Sequence, residues 1–585
     1  MTYSIRIDKS VPIEVRDGTV LRGDIYRPDD KEKHPALLTR TPYHRQGAFD
    51  FNSSYLPYFE AVAAGYVVII QSLRGCFDSG GQSGLGDMRL TGEGADGYDT
   101  VEWIAAQKWC DGNVGTCGGS YMGLLQWITA RGNPPHLKAI APWVSGSGGE
   151  EPSRHNGIVN LGVALNWLLN MTVEAINKQE KDGKDVTAAR RMLAQAAASP
   201  QLVYEYLPLK DVPYFNFPGI REMWAGRVLA SDRETPEYFE QTRTPYEKVM
   251  APCMHVSGWY DFYPSGTLSH FTNMREKGGS ELARKNQYIM MGPWLHPGPT
   301  SDGDAGALGF GLLASKLGSG VGAHSLAFFD KFLRGKKADL PAVRYFVMGK
   351  NVWRTAETWP PPQMKFQRYF LHSRGHANGA AGDGLLSRDE PGSELPDIYI
   401  YNPHFPVPTT GCRGHQQLIM FAPSPQEQSL VERRDDVLCY TTPELKEDLE
   451  VTGPLLLHLF AATSARDTDF TAKLVDVYPD GRAYNVVCDG ITRARYRKSL
   501  FAPELVNPGE VNEYIVNLEA VSQLFRKGHR IRIDVSSSCF PEYDRNMNTG
   551  HAVGEDARGI PALQSIYHEA AYSSYIDLPV IESAV

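Results

Sequence analysis

Val114-Gly115-Thr116-Cys117-Gly118-Gly119-Ser120-Tyr121-Met122-Gly123 is the stretch whose reading decides the fold. Val114 to Cys117 suits a brief buried strand, Tyr121 to Ala130 suits a helix, and a serine flanked by glycine stands at the turn between them. Strand, sharp turn and helix in that order are the setting of a nucleophile elbow. There a serine hydroxyl is held exposed above a sheet, and the next backbone N–H faces the reacting oxygen. The spacing here is Gly-x-Ser-x-x-Gly, one residue longer than the usual elbow pattern, so the context carries more weight than the pattern.

Working outward, apolar residues alternate from Val11 to Arg27 around Arg16-Asp17-Gly18-Thr19, which predicts an opening β-hairpin. Ala36-Leu37-Leu38 and Tyr66-Val67-Val68-Ile69-Ile70 are short apolar runs suited to parallel strands buried on both faces. Val101, Ile104, Ala105 and Trp109 predict a helix over Asp99 to Trp109, and Leu137 to Ala141 a further strand. The alternation stops at about 146, where Asn160 to Ile176 and Val186 to Ala198 read as helices of an insertion. It resumes with Met254 to Ser257 and Tyr288 to Met291 and closes on an aromatic helix near Phe328 to Leu333. Beyond Pro360-Pro361-Pro362 the chain becomes strand-like, with Ile531, Ile533 and Val535 alternating against Arg530, Arg532 and Asp534 and a hairpin turn at Pro479-Asp480-Gly481. The predicted fold class is α/β: an α/β-hydrolase domain in two parts (1–145 and 248–355), a helical cap (146–247) and a C-terminal β-sandwich (356–585).

Composition narrows the function. The chain has 585 residues, 42% hydrophobic and 11% aromatic, with 59 Lys+Arg against 68 Asp+Glu for a net charge of −9. No basic block supplies the footprint of nucleic-acid binding. Eight cysteines without a C-x-x-C spacing read as buried free thiols. Ala61 to Ile70, the longest apolar stretch, is far short of the ~18 residues of a membrane span. Met1 to Arg6 carries no apolar signal-peptide stretch, so the expected location is cytoplasmic. Gly309-Phe310-Gly311 with Ala314 imitates a dinucleotide fingerprint but follows no clear strand, and no H-E-x-x-H or phosphate loop occurs; no cofactor and no metal are expected. A homodimer is the expected assembly.

A serine alcohol is a poor nucleophile near neutral pH and needs a histidine base and an acid that fixes the imidazole tautomer. In α/β hydrolases these follow the serine in the order acid, then histidine. Asp261, within Ser257-Gly258-Trp259-Tyr260-Asp261, and His296, within Gly292-Pro293-Trp294-Leu295-His296, each lie just past a predicted strand in that order. Either residue alone could be an ordinary turn residue; their joint order and context point to catalysis. The Tyr121 N–H supplies one oxyanion donor. Tyr43, in Thr41-Pro42-Tyr43 after the strand at Ala36 to Leu38, stands where such enzymes place the second.

At these residues the chain resembles the cocaine esterase / X-Pro dipeptidyl-peptidase group of serine hydrolases, which includes glutaryl acylases and α-amino ester hydrolases. The resemblance spans nearly the whole chain. It rests on Arg16-Asp17-Gly18, Arg74-Gly75 with Ser79-Gly80-Gly81, Gly118 to Gly123, Gly258 to Asp261, and Gly292-Pro293-Trp294 with His296. That family uses G-x-S-Y-x-G, which Ser120-Tyr121 fits. The resemblance implies Ser120, Asp261 and His296 as a triad, the Tyr43 hydroxyl and Tyr121 N–H as the oxyanion hole, and a C-terminal jelly roll. It further implies that Trp167 and Tyr263 bind the acyl group. Where α-amino ester hydrolases place carboxylates after the acid, this chain has Phe262-Tyr263-Pro264, which argues against a required substrate α-amine. Glu150 and Glu151 are assigned no role. The expected activity is hydrolysis of a small-molecule ester or amide through an acyl-enzyme. The alternatives are an X-Pro dipeptidyl-peptidase and, from another class, a non-catalytic binding protein using the β-sandwich.

Overall fold

A computed structural model describes residues 3–82, 91–146, 154–217, 220–229, 235–413 and 422–582. The chain opens with a hairpin of β1 (Ile5–Glu14) and β2 (Val20–Pro28) and continues through β3 (His34–Thr41), α1 (Arg45–Asn52), α2 (Tyr58–Ala63) and β4 (Val67–Ser72). Then come α3 (Thr91–Ala105), β5 (Cys110–Gly119), α4 (Tyr121–Ala130) and β6 (Leu137–Trp143). After the inserted helices the sheet resumes with β7 (Cys253–Gly258), α7 (Pro264–Lys277), β8 (Gln287–Gly292), α8 (Val321–Arg334), β9 (Val343–Val347) and β10 (Val352–Ala356).

These ten strands form one sheet in the order β1-β2-β4-β3-β5-β6-β7-β8-β9-β10. Strands β3 to β9 all run parallel. Their period-two patterning explains burial on both faces. Leu37, Val68 and Ile70 face one cluster with Phe328 and Phe329, whereas Ala36, Leu38, Val67 and Ile69 face another with Val101 and Ile104. Because the strands are parallel, the loops after β3, β5, β7 and β8 emerge at one edge, where open α/β sheets bind ligands.

One predicted element is displaced. The helix expected over Asp99 to Trp109 occupies Thr91–Ala105, and the Trp109 carbonyl instead accepts the His34 N–H at 2.9 Å from a turn before β5. The early turns hid because they bury charge. Glu93 pairs with Arg40 at 2.8 Å and Asp96 with Arg74 at 2.6 Å, so the apolar period starts only at Val101.

The insertion carries α5 (Leu161–Lys181) and α6 (Thr187–Ala198), preceded by a two-residue-strand hairpin, Arg154–His155 with Ile158–Val159, that the sequence did not announce. Leu161, Leu165, Leu168, Phe215 and Trp224 form its own core. Among the described C-terminal residues, strand Leu449–Thr463 is the hub, pairing antiparallel with Asn512–Phe525, Ala562–Tyr567 and Tyr575–Ile581. Leu457, Phe470, Tyr514 and Ile533 of this strand-rich domain share one apolar cluster with Trp259, Tyr260 and Phe346 of the first sheet. No helix among the described residues is long and apolar enough to cross a membrane.

Behind α4 the Trp127 ring stacks on His270 (4.2 Å) and His255 (5.9 Å). Burial pushes His255 down to about 4 and His270 down to about 3. Folded, both imidazoles stay neutral well below pH 6; unfolded, they protonate near 6.5. The unfolded chain therefore binds more protons on acidification, and stability falls by up to about 1.4 kcal/mol per pH unit for each histidine. Between pH 7 and pH 5, His270→Gln should lose less stability, or gain more, than the wild type, as read from urea unfolding midpoints. An identical pH dependence in the two proteins would contradict it.

Candidate active site

Ser120 sits at the end of β5 and caps α4 with φ 60° and ψ −128°, a left-handed conformation that costs a non-glycine residue about 1–3 kcal/mol. The surroundings hold it there. Its N–H donates to the Trp143 and Val144 carbonyls at 3.0 and 3.1 Å, and its carbonyl accepts from Gly123 and Leu124. The Asn52 Oδ1 accepts the Gly119 N–H at 2.9 Å. Gln126 donates to the Gly118 and Ala141 carbonyls at 2.9 and 3.1 Å and accepts from the Thr116 hydroxyl and the Ala141 N–H, all at full burial. The longer glycine spacing has a steric cause: a Cβ on Gly123 would come within 2.7 Å of the Ser145 Cβ.

Asp261 follows β7 and is fully buried. Its Oδ1 accepts from His296 Nδ1 at 2.6 Å and from the Phe262 N–H at 2.6 Å, and its Oδ2 accepts the Ser257 hydroxyl at 2.7 Å. The loops after β7 and β8 meet closely enough for this only because position 258 is glycine; a Cβ there would overlap the Trp294 carbonyl. Rings surround the His296 imidazole, with Phe262 at 4.8 Å, Tyr263 at 5.8 Å and Phe51 at 5.8 Å between centroids.

The stretch 51–55 ties the two halves of the site together. The Phe51 ring packs over Gly119 as well as beside His296, Asn52 holds the strand into Ser120, and the Tyr55 hydroxyl donates to the His296 carbonyl at 2.8 Å. These residues and Gln126 escaped the sequence reading. Gln126 did leave a signal, as an amide inside an otherwise apolar helical stretch, where a buried polar group needs a specific partner.

Tyr43 follows β3, where its N–H donates to the Thr41 hydroxyl at 3.0 Å. The Trp167 indole N–H donates to the Tyr43 hydroxyl oxygen at 3.2 Å, and the Trp167 ring lies nearly parallel to that of Tyr121. Tyr43 and Trp167 both pack against the insertion's core and against a small cluster of Leu73, Cys76, Tyr121 and Leu125. The motifs behind the family resemblance brace this corner. Arg74 links Asp17 (2.7 Å) to Asp96 (2.6 Å), Ser79 accepts the Arg22 N–H, and Arg45, two residues past Tyr43, contacts Asp24, Ser72 and Asp78. Glu150 and Glu151 lie outside the described residues.

Fold and site together define a hydrolase of the α/β type, with a serine on an elbow and an aspartate–histidine pair at the same sheet edge. Comparison with known proteins narrows this. Residues 17–298 match the family model of the X-Pro dipeptidyl-peptidase (S15 family), and residues 335–577 match the X-Pro dipeptidyl-peptidase C-terminal non-catalytic domain. A cocaine esterase from Rhodococcus sp. (strain MB1 Bresler) is 35% identical over 599 residues, covering 99% of each chain. A putative serine esterase from Mycobacterium bovis is 24% identical over 657 residues, covering 97% of this chain and 95% of its own. An α-amino acid ester hydrolase (22% identical, TM-score 0.77, 99% of this chain and 97% of its own) shares the fold. So does an aminopeptidase from a marine sediment archaeon, Thaumarchaeota archaeon (24%, TM-score 0.75, 100% and 97%). The chain belongs to the cocaine esterase / X-Pro dipeptidyl-peptidase (S15) family and is a serine hydrolase of esterase type.

Replacing Asn52 by Ala strands the buried Gly119 N–H, at a cost of about 1–3 kcal/mol. The unfolding midpoint should fall, and ester turnover should drop at least about tenfold as the elbow shifts. Asn52→Leu, which fills the space but offers no acceptor, should lose turnover likewise. Undiminished turnover in either variant would show that the hydrogen bond to Gly119 is not what matters.

Proposed function

We propose that this enzyme hydrolyses a carboxylic ester of a small molecule through an acyl-enzyme on Ser120. The observation that carries the reading is the 2.6 Å bond between Asp261 and His296 Nδ1. With Nδ1–H donating to the carboxylate, the neutral imidazole presents Nε2 as its acceptor, the state a general base needs. His296 takes the Ser120 proton as Oγ attacks the carbonyl carbon, and the tetrahedral oxyanion is held by the Tyr43 hydroxyl and the Tyr121 N–H at the start of α4. Collapse expels the alcohol, protonated by His296. Water, deprotonated by the same imidazole, then attacks the acyl-enzyme and releases the acid and the serine. Trp167 and Tyr263 border the acyl group, supported by their placement beside Tyr43 and His296.

The family description favours a second reading, cleavage of X-Pro peptides. The aromatic pair Phe262 and Tyr263 next to Asp261 supports the ester instead, because rings offer no anion to a substrate α-amine. Two further expectations belong to the same proposal. A jelly-roll arrangement of the C-terminal strands is supported by their antiparallel pairing around Leu449–Thr463, and a cytoplasmic location by seven buried free cysteines among the described residues.

Ser120→Ala should abolish p-nitrophenyl ester hydrolysis and fluorophosphonate labelling while the chain stays folded. Retained turnover in a clean preparation would reject the assignment. Tyr43→Phe should lower kcat more than about tenfold with little change in KM, the signature of a donor used mainly in the transition state. Faster turnover of X-Pro-anilides than of simple esters would favour the peptidase reading.

A further inference from the structure

Trp167 stands on the second turn of α5, whose buried side fills the insertion's core with Leu161, Leu165, Leu168 and Met171. It meets the side chains of both residues read above as oxyanion donors. Its indole N–H lies 3.2 Å from the Tyr43 hydroxyl oxygen, and its ring lies 18° from parallel to the Tyr121 ring with centroids 6.3 Å apart. An indole N–H only donates. The direction of the bond is therefore fixed: the Tyr43 oxygen accepts, and its own O–H cannot point at the indole.

A phenol O–H prefers to lie in the ring plane, on one side of the C–O axis or the other, so an occupied side leaves the proton the opposite one. Accepting a hydrogen bond also polarises a hydroxyl and makes it a stronger donor. We propose that Trp167 is a positioning residue for the oxyanion hole: its N–H turns the Tyr43 O–H toward the developing oxyanion, and its ring steadies the turn that carries the Tyr121 N–H. This deepens the function proposed above and rests on it, since it presumes that Tyr43 donates to the oxyanion.

The anchorage of α5 suits such a role. Asn160 caps the helix by accepting the Val163 N–H at 3.1 Å. Gly162 donates to the Glu542 carbonyl and Asp544 to the Val159 carbonyl, both at 3.0 Å, and Asp544 in turn pairs with the buried Arg493. The strand-rich domain thus fixes the height at which Trp167 meets Tyr43. An acyl group that pushes Trp167 aside would lose turnover as well as affinity, so acyl selectivity would appear in kcat.

A double-mutant cycle tests this with p-nitrophenyl acetate, whose two-carbon acyl group makes little use of a pocket. Trp167→Phe keeps a ring against Tyr121 but removes the N–H. It should lower kcat about fivefold when Tyr43 is present and less than about twofold in the Tyr43→Phe background. The same fold-change in both backgrounds overturns the proposal and leaves the esterase reading standing. No loss of kcat from Tyr43→Phe alone overturns both this proposal and the oxyanion role of Tyr43, while abolition by Ser120→Ala would still uphold the nucleophile. Should Trp167→Phe fold poorly, benzothienylalanine at position 167 replaces only the N–H by sulfur and reads the same cycle: the fivefold, Tyr43-dependent loss supports the proposal and unchanged kcat overturns it.

Discussion

A serine held in a left-handed backbone conformation is the constraint on which the rest of this molecule depends. At φ 60° Ser120 would relax if its neighbours allowed it, and relaxation would carry the hydroxyl away from the sheet edge. What prevents this is a set of buried hydrogen bonds that converge on three consecutive residues. Gln126 grips the Gly118 carbonyl from inside α4, Asn52 grips the Gly119 N–H from α1, and the end of β6 grips the Ser120 N–H. Strain at Ser120 is thus offset by polar groups placed where water cannot replace them.

The same economy organises His296 and its carboxylate partner. Asp261 is fully buried and receives three hydrogen bonds, and His296 is held through its backbone by Tyr55 and over its ring by Phe51 and Phe262. Because α1 supplies Asn52 on one side and leads into Tyr55 on the other, one short segment sets the elbow relative to the histidine. That segment begins just after Tyr43, so a single stretch of 13 residues from Tyr43 to Tyr55 reaches the elbow, His296 and Trp167.

Much of this was legible in the sequence, and for physical reasons. Strands buried on both faces leave short apolar runs such as Tyr66 to Ile70, and a parallel sheet forces the loops that follow them to one edge, so the order Ser120, Asp261, His296 carried spatial meaning before any coordinates. The start of α3 was obscured because its first turns bury Glu93 and Asp96 against arginines, which breaks the apolar period. Trp109 mimicked a helical position although the chain had already turned. The brace of Asn52 and Tyr55 was hidden for another reason. Each acts on a partner far along the chain, 67 positions away for Asn52 and 241 for Tyr55, and no local spacing encodes such a pairing. The contact of Trp167 with Tyr43 is of the same kind, since it depends on how the inserted helices settle on the sheet.

Whether these side chains act on one reacting centre is tested most directly by a crystal structure of the enzyme after reaction with a p-nitrophenyl alkylphosphonate, whose tetrahedral phosphorus imitates the acylation intermediate. The expected result is a phosphonyl group on Ser120 Oγ, its charged oxygen about 2.7–3.1 Å from both the Tyr43 hydroxyl and the Tyr121 nitrogen, with His296 Nε2 within hydrogen-bond reach of the ester oxygens. An adduct on another residue, or a phosphonyl oxygen turned away from Tyr43 and Tyr121, would contradict it.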